Sequence, residues 1–298
     1  MRYRIFDFVV ASDWPLPELP TADGEPASIE IERGSAAFDD PDLVWFREWR
    51  VPDEDPWLAA ARLPAGGYLV RVPALADFLI DDAGRCVRVV RTADTSDDTL
   101  RHLLLDLILP LVMTHRGELV LHASGALFGS GAFLFIARSG AGKSTIAAAL
   151  AARGARVVAD DAIAVRRDGD ELVAVGAYSG LRLWPDAPSP VAKRRIGPAD
   201  SSIPFATTPV RVAGIYVLEP AASGSIRIDP LPPREALMAL VANSYVLDCS
   251  DRGRLERQLD RAIACGGAVP IRRLAFPHDA DRLEELCQAV LHDHGHFA

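Results

Sequence analysis

Two patterns of hydrophobic and polar positions divide this chain. The first hundred residues contain short alternating runs separated by Gly, Pro and Asp, which is typical of strands joined by turns. Ser96 and the two acids after it predict the N-cap of a helix that runs to about Leu109, where Pro110 bends or ends it. We therefore expect a mostly β N-terminal domain over residues 1–95 that could engage a substrate. Its predicted strands are 3–10, 28–32, 67–72, 77–80 and 86–91.

From residue 96 to residue 298, apolar runs alternate with helical patterns, as in an α/β domain with a helical C-terminal part. The run 118–128 alternates as one strand, which would place Glu118, Val120, His122 and Ser124 on one face. The other predicted strands are 131–136, 157–159, 210–218 and 270–274, with a hairpin of 163–166 and 172–175. The predicted helices are 145–152, 234–245, 251–265 and 281–291.

A glycine-rich turn joins the apolar run 131–136 to the alanine-rich run 145–152. A strand, such a turn and a helix in this order aim backbone N–H groups and the positive end of the helix dipole at a phosphate. Lys143 adds a positive charge, and Ser144 offers a hydroxyl to Mg²⁺. The sequence thus predicts a site for ATP and Mg²⁺. The predicted binding residues are Ser139, Gly140, Ala141, Gly142, Lys143, Ser144 and Thr145.

Ala137 stands where the usual Gly-x4-Gly-Lys-[Ser/Thr] motif begins with glycine. An alanine there matters only if the backbone needs a positive φ. The alternative to a nucleotide site is an accidental glycine-rich turn between a strand and a helix. The strand and helix on either side of Gly-Ala-Gly-Lys-Ser-Thr favour the nucleotide site.

Two adjacent acids, Asp160 and Asp161, follow the predicted strand 157–159. Adjacent strand residues point to opposite faces, so one carboxylate can serve Mg²⁺ while the other accepts a proton from an incoming hydroxyl. Alternatively, the pair only turns the chain after a strand. His122 is a third candidate, although a lone strand histidine is more often structural.

Composition narrows the classes of partner. The net charge of −9 and the pI of about 5.3 argue against general nucleic-acid binding, which favours a basic surface. The apolar run 103–113 is too short to span a bilayer, and the first residues do not form a signal peptide. Four cysteines without metal-ligand spacing are typical of reduced thiols in the cytoplasm. We expect a cytoplasmic protein that binds neither nucleic acid nor membrane.

Three segments together resemble one enzyme family. Leu121-His-Ala-Ser-Gly125, Ser139-Gly-Ala-Gly-Lys-Ser144 and Val158-Ala-Asp-Asp161 resemble the C-terminal domain of HPr kinase/phosphorylase, in both residues and spacing. The resemblance covers roughly 103–218. It implies an α/β P-loop domain of the HPr kinase/PEP carboxykinase-like kind. It also implies a catalytic group of Asp160, His122 and Lys143, with Asp160 as the base and His122 supporting it. Ser144 and Asp161 would serve the metal.

The opening run Phe6 to Leu19 resembles the start of stand-alone HPr-kinase-like proteins, including kinases that phosphorylate a C-terminal serine of lasso-peptide precursors. The Pro-x-Arg-Pro-Gly-Arg-Asn pattern of the bifunctional enzymes is absent from the sequence. The resemblance therefore implies an ATP-dependent serine kinase of a peptide or protein, and, by analogy with the family, a homo-oligomer. Two alternatives stay open: a kinase of a small hydroxylated metabolite such as free serine, and a non-catalytic nucleotide-dependent scaffold.

Overall fold

The computed structural model describes residues 1–35, 40, 43–50, 55–183, 194–197, 203–207, 209–221 and 224–293, without the side chains of 182–183 and 194–196. The chain forms two compact units. Unit 1 contains Met1–Gly117 and Val246–Leu255, and unit 2 contains Glu118–Tyr245 and Glu256–Ala298. Unit 1 thus includes a short segment from late in the chain, and it extends past residue 95.

Unit 1 is built on an eight-stranded sheet in the order β1-β2-β3-β8-β7-β6-β5-β4. The pairs β2–β3 and β3–β8 are parallel, and the other neighbours are antiparallel. The predicted strand 3–10 is two strands, because Phe6 and Asp7 turn the chain with φ of 49° and 66°. The strands are β1 Arg2–Ile5, β2 Phe8–Ser12, β3 Ile29–Arg33, β4 Val44–Trp49, β5 Leu58–Arg62, β6 Tyr68–Val72, β7 Ala76–Ile80 and β8 Cys86–Arg91.

A helical stretch follows β8 in unit 1. The Ser96 hydroxyl accepts a hydrogen bond from the Thr99 N–H at 3.1 Å, which confirms the predicted N-cap. The expected end near Leu109 is wrong, because the helix continues past Pro110. A π-helical turn precedes the proline, and this wider turn accommodates a residue without an N–H to donate. The segments are α1 Asp97–Leu103, the π turn Leu104–Ile108 and α2 Leu109–His115. Among the described residues, no helix is long and apolar enough to cross a membrane.

Unit 2 is an α/β unit whose central sheet runs β12-β10-β11-β17, with β19 and β18 beyond β17 along its C-terminal half. The first two residues of β17 pair with β14, which continues the sheet to β13 and β9. The strands are β9 Leu119–Leu121, β10 Ala123–Phe128, β11 Gly131–Ile136, β12 Arg156–Ala159, β13 Ile163–Asp168, β14 Glu171–Gly176, β15 Leu181–Leu183, β16 Arg194–Ile196, β17 Val210–Ala221, β18 Arg227–Pro230 and β19 Ile271–Pro277.

Helices cover both faces of this sheet. Alternate residues of the fully buried β11 enter two different hydrophobic clusters. One cluster contains Leu134 with side chains of α4 and α5, and the other contains Phe135 with side chains of α3 and α6. The helices are α3 Lys143–Ala151, α4 Pro233–Ala242, α5 Arg252–Gly266 and α6 Leu283–Asp293, with a 3-10 turn Ala280–Arg282 before α6. The predicted strand–turn–helix order around Lys143 is confirmed.

The expectation of a single strand over 118–128 is wrong. The chain bends at His122, so that β9 pairs with β13 while β10 pairs with β11 and β12. His122 therefore lies in a bend between two strands, and its neighbours do not share one continuous strand face. The break separates two sheet segments that the alternating pattern alone could not distinguish.

Candidate nucleotide and phosphoryl-transfer site

Strand direction gathers the candidate residues at one sheet edge of unit 2. Strand β10 is antiparallel to both β11 and β12, with Ala123 opposite Ile136 and Gly125 opposite Ala159. The start of β10 therefore meets the ends of the other two strands. His122 precedes β10, the glycine-rich loop follows β11, and the two acids follow β12. This topology brings together all three predicted catalytic residues and the predicted loop.

The loop after β11 is open and leaves the start of α3 without a described side-chain cap. Gly140 and Gly142 have φ of 82° and 94°, a region that favours glycine. A Cβ at either position would meet no heavy atom of the described residues within 4 Å, so the loop is open toward them at both points. Gly142 is the N-cap of α3, and among the described residues no side chain caps this end. The first backbone N–H groups of α3 are therefore available to a ligand.

Ala137 does not disturb this loop. The described non-glycine residues with positive φ are Phe6, Asp7, Ala74 and Asp161, so Ala137 has an ordinary backbone conformation. Its carbonyl oxygen accepts a hydrogen bond from Lys143 Nζ at 3.0 Å, and that of Arg138 accepts a second at 3.4 Å. The Lys143 side chain is buried and turns back over the loop from the first residue of α3. The motif lysine is therefore held on its own loop.

Asp160 is the more enclosed of the two acids, with a relative exposure of 2%. Its Oδ1 accepts a hydrogen bond from Ser144 Oγ at 2.9 Å and another from Ser124 Oγ. Ser144 is the motif hydroxyl, so this carboxylate is joined directly to the residues that follow the glycine-rich loop. Ser124 is a partner that sequence reasoning did not assign. Its only signal is its place in the Leu121–Gly125 segment.

Asp161 faces a different neighbour. Its Oδ1 lies 3.5 Å from His122 Nε2, and the two side chains are 14% and 32% exposed. The backbone at Asp161 has φ of 65°, and the Ala162 N–H donates to the Asp160 carbonyl at 2.8 Å. This is the γ-turn with positive φ, a rare and strained form. The turn therefore places the buried Asp160 against two serine hydroxyls and Asp161 beside His122.

Tyr245 closes the far side of this pair, although no sequence signal indicates it. Its hydroxyl donates to the Asp161 carbonyl at 3.1 Å, and its ring lies edge-on to His122 with centroids 6.2 Å apart. The His122 N–H also donates to the Asn243 carbonyl at 2.7 Å. The segment after α4 thus fixes the bend that carries the histidine.

Comparisons with known proteins find structural matches only. No protein-family model matches this sequence, and no curated protein matches it. Among solved structures, the chain is similar to the Hpr(Ser) kinase/phosphatase from Coxiella burnetii, with 12% identity and a TM-score of 0.37. The match covers 60% of this chain and 99% of that chain. A match of this size carries no conclusion about function.

Proposed function

We propose that this protein is an ATP- and Mg²⁺-dependent kinase that transfers a phosphoryl group to a serine hydroxyl of a peptide or protein. One observation carries the proposal. A phosphate-cradle loop, a buried acid hydrogen-bonded to its motif serine, and a second acid paired with a histidine meet at one sheet edge. Phosphoryl transfer needs positioned phosphates, charge neutralisation and a group that orients the acceptor hydroxyl.

The loop residues fit a bound triphosphate. Gly140 and Gly142 leave space that no described atom fills, and the start of α3 has backbone donors without a described side-chain cap. Lys143 Nζ rests on two loop carbonyls, and an anionic phosphate is a stronger partner for an ammonium than a carbonyl is. Lys143 would therefore move from its own loop to the phosphates.

Ser144 and Asp160 fit the requirements of Mg²⁺. Mg²⁺ commonly uses one or two protein oxygens, with water and substrate phosphates completing its shell. Among the described residues, no group of three His, Cys, Asp or Glu side chains is arranged to hold a metal by itself. The Ser144 hydroxyl and the Asp160 carboxylate would hold the ion on the protein side. When bound, Mg²⁺ neutralises the charge that develops on the transferring phosphates.

The geometry favours exchanging the roles that the family resemblance implies for the two acids. Asp160 is enclosed by two serine hydroxyls, whereas Asp161 is more accessible and is paired with His122. We assign Asp161 as the proton acceptor and His122 as the group that orients it. The serine oxygen forms a bond to the γ-phosphorus, the bond to the β–γ bridging oxygen breaks, and the serine proton passes to the Asp161 carboxylate.

The acceptor is proposed from the sequence resemblance alone. The opening residues Phe6 to Leu19 favour a ribosomally made, lasso-type precursor peptide that ends in serine. Free serine and other small hydroxylated metabolites are the competing acceptors. A scaffold role predicts nucleotide binding without transfer to any of them.

The test is phosphate transfer from γ-labelled ATP by the full chain, with three acceptors: a peptide ending in serine, the same peptide ending in alanine, and free serine. We expect label only in the serine-ending peptide. Asp161→Asn should retain ATP binding and lower transfer by roughly 10²–10⁴-fold, because it removes the proton acceptor. Asp160→Asn should raise the Mg²⁺ concentration required, and Lys143→Ala should weaken ATP binding itself.

Asp168→Asn is the matched control, because Asp168 is an exposed acid at the end of β13, outside the candidate site. It should transfer phosphate at the wild-type rate. Unchanged transfer by Asp161→Asn, together with loss in Asp160→Asn at saturating Mg²⁺, would restore Asp160 as the base. Binding of ATP without transfer to any acceptor would favour the scaffold, and absence of ATP binding would reject the kinase proposal.

A further inference from the structure

A cavity of about 250 Å³ lies beside the phosphate loop, entirely within unit 2. Gly142 and Thr145 line one side of it, and the segment from the end of β19 into α6 lines the other. Pockets that enclose whole drug-sized ligands are roughly 300–1,000 Å³. This smaller cavity suits one flat part of a larger ligand.

The walls of the cavity are mainly apolar. Hydrophobic side chains line it, and they belong to Ile226, Leu283, Leu286 and the aromatic Phe276. Phe276 and Leu286 also belong to the hydrophobic cluster beneath α3 and α6, so they are held in place by packing. An apolar and aromatic slot of this kind favours a planar heterocycle over a charged or strongly hydrated group.

Polar groups line the same cavity where it meets solvent. His278 and Asp279 are exposed residues of the β19–α6 connection, and Arg282 follows in the 3-10 turn. The Arg282 guanidinium donates to the Gly224 carbonyl at 2.7 Å and is paired with Glu285 at 2.7 Å. A cavity with apolar walls and a few polar groups is typical of sites that bind a small organic ligand.

Two consecutive residues of α3 define the direction of a ligand on the loop. Successive helix residues point about 100° apart. The Ser144 hydroxyl points to Asp160, whereas the next residue, Thr145, lines the cavity. A triphosphate lying across the start of α3 therefore has one end at the acids and the other end at the cavity. The transferred phosphoryl group must lie at the acids, so the nucleoside end lies at the cavity.

We infer that this cavity binds the nucleobase of the nucleoside triphosphate, with the base against Phe276 and the apolar walls. The inference rests on the proposed kinase function, since it takes the phosphates to lie on the loop. It assigns the β19–α6 connection, more than 130 positions after the loop in the sequence, to nucleotide recognition. The inference therefore predicts that the base, and not only the phosphates, contributes to the affinity for the nucleotide.

The test compares two ligands by titration calorimetry in the presence of Mg²⁺: ATP, and inorganic tripolyphosphate, which lacks the nucleoside. Ala280 is an exposed residue that lines the cavity, so Ala280→Trp fills the space without replacing a core side chain. Asp281→Trp is the matched control, because Asp281 is exposed in the same 3-10 turn and does not line the cavity.

We expect Ala280→Trp to weaken the binding of ATP, relative to the binding of tripolyphosphate, by about tenfold or more. This is the scale of one lost base-stacking contact. Asp281→Trp should leave that ratio unchanged, and retained tripolyphosphate binding shows that the variant is folded. Ala280→Leu replaces Ala280→Trp if the larger side chain prevents folding. If Ala280→Trp binds tripolyphosphate and its ratio of ATP affinity to tripolyphosphate affinity equals that of the wild type, the cavity assignment is wrong. That result would leave the kinase proposal in place. A wild-type chain that binds neither ligand overturns the kinase proposal, and this inference with it.

Discussion

Asp248 anchors the late segment 246–255 within unit 1, and its charge makes a testable contribution to stability. Its carboxylate side chain is 1% exposed. Oδ2 accepts hydrogen bonds from Arg62 Nη2 at 2.6 Å and from the Tyr68 hydroxyl at 3.0 Å. Oδ1 accepts two more from Ser250, from the hydroxyl at 2.7 Å and the backbone N–H at 2.8 Å. The carboxylate thus joins two neighbouring strands, β5 and β6, to the late segment.

These contacts lower the pKa of Asp248. Burial alone would raise the pKa, but the hydrogen bonds from Ser250, Arg62 and Tyr68 outweigh it, and the pKa falls from 3.8 to about 2. A pKa lowered in the folded state stabilises the protein above the unfolded value and loses that stabilisation as the pH falls through the folded value. The shift corresponds to about 2 kcal/mol, present above about pH 4 and lost between about pH 4 and pH 2.

Asp248→Asn should therefore lower the free energy of unfolding of unit 1 by about 2 kcal/mol at pH 7. The difference from wild type should shrink between pH 4 and pH 2, because the wild-type carboxylate is itself protonated there. Urea unfolding at several pH values measures this. Tryptophan fluorescence suits the assay, because four of the five tryptophans (Trp14, Trp45, Trp49 and Trp57) lie in unit 1.

Asp23→Asn, at an exposed position of the same unit, is the control and should change the unfolding free energy little at any pH. If Asp248→Asn lost the same free energy at pH 2 as at pH 7, the charge of Asp248 would not be the source of stabilisation. The reasoning from the lowered pKa would then be refuted, and only the shape of the side chain would matter.

Two further predictions concern the strand and turn that carry the acids. A Cβ at Gly176 would lie 2.6 Å from Ala159 Cβ. Gly176→Ala should therefore lower the free energy of unfolding by about 1–3 kcal/mol, and it should lower phosphate transfer because it displaces β12. Gly266→Ala, where a Cβ makes ordinary contacts at 3.7 and 3.8 Å, should lower neither the melting temperature nor the rate, and equal effects of the two would contradict this packing account. Because Asp161 has φ of 65°, Asp161→Ala should be about 1 kcal/mol less stable than Asp161→Gly in urea unfolding, although both remove the acid. Equal stability would show that the turn is not strained.

The parts of the site that follow local rules could be predicted from the sequence. The strand–turn–helix around Lys143 depends on residues next to one another, namely an apolar run, a glycine-rich turn and an alanine-rich run. The β13–β14 hairpin is local in the same way, with Gly169 in its turn. Composition and periodicity also indicated a mostly β first region followed by an α/β region, and both regions are present.

The remaining features depend on contacts that a local pattern does not encode. The alternation over 118–128 continues through His122, so only the pairing of β9 and β10 with different partners places the bend there. Tyr245 reaches Asp161 from 84 positions away in sequence. The helix that begins at Asp97 belongs to unit 1, because tertiary packing rather than helix propensity decides which unit it joins.

The late segment 246–255 has a consequence for how this chain forms during synthesis. Residues Met1–Gly117 of unit 1 leave the ribosome before unit 2 does, but the Asp248 anchor of unit 1 is made more than 120 positions after Gly117. Strand β19, which pairs in parallel with β17, is made later still. Such distant contacts form slowly and leave apolar surface exposed in the meantime. Neither unit can reach its complete set of contacts as a nascent fragment, so a chain truncated before residue 246 leaves both units unfinished.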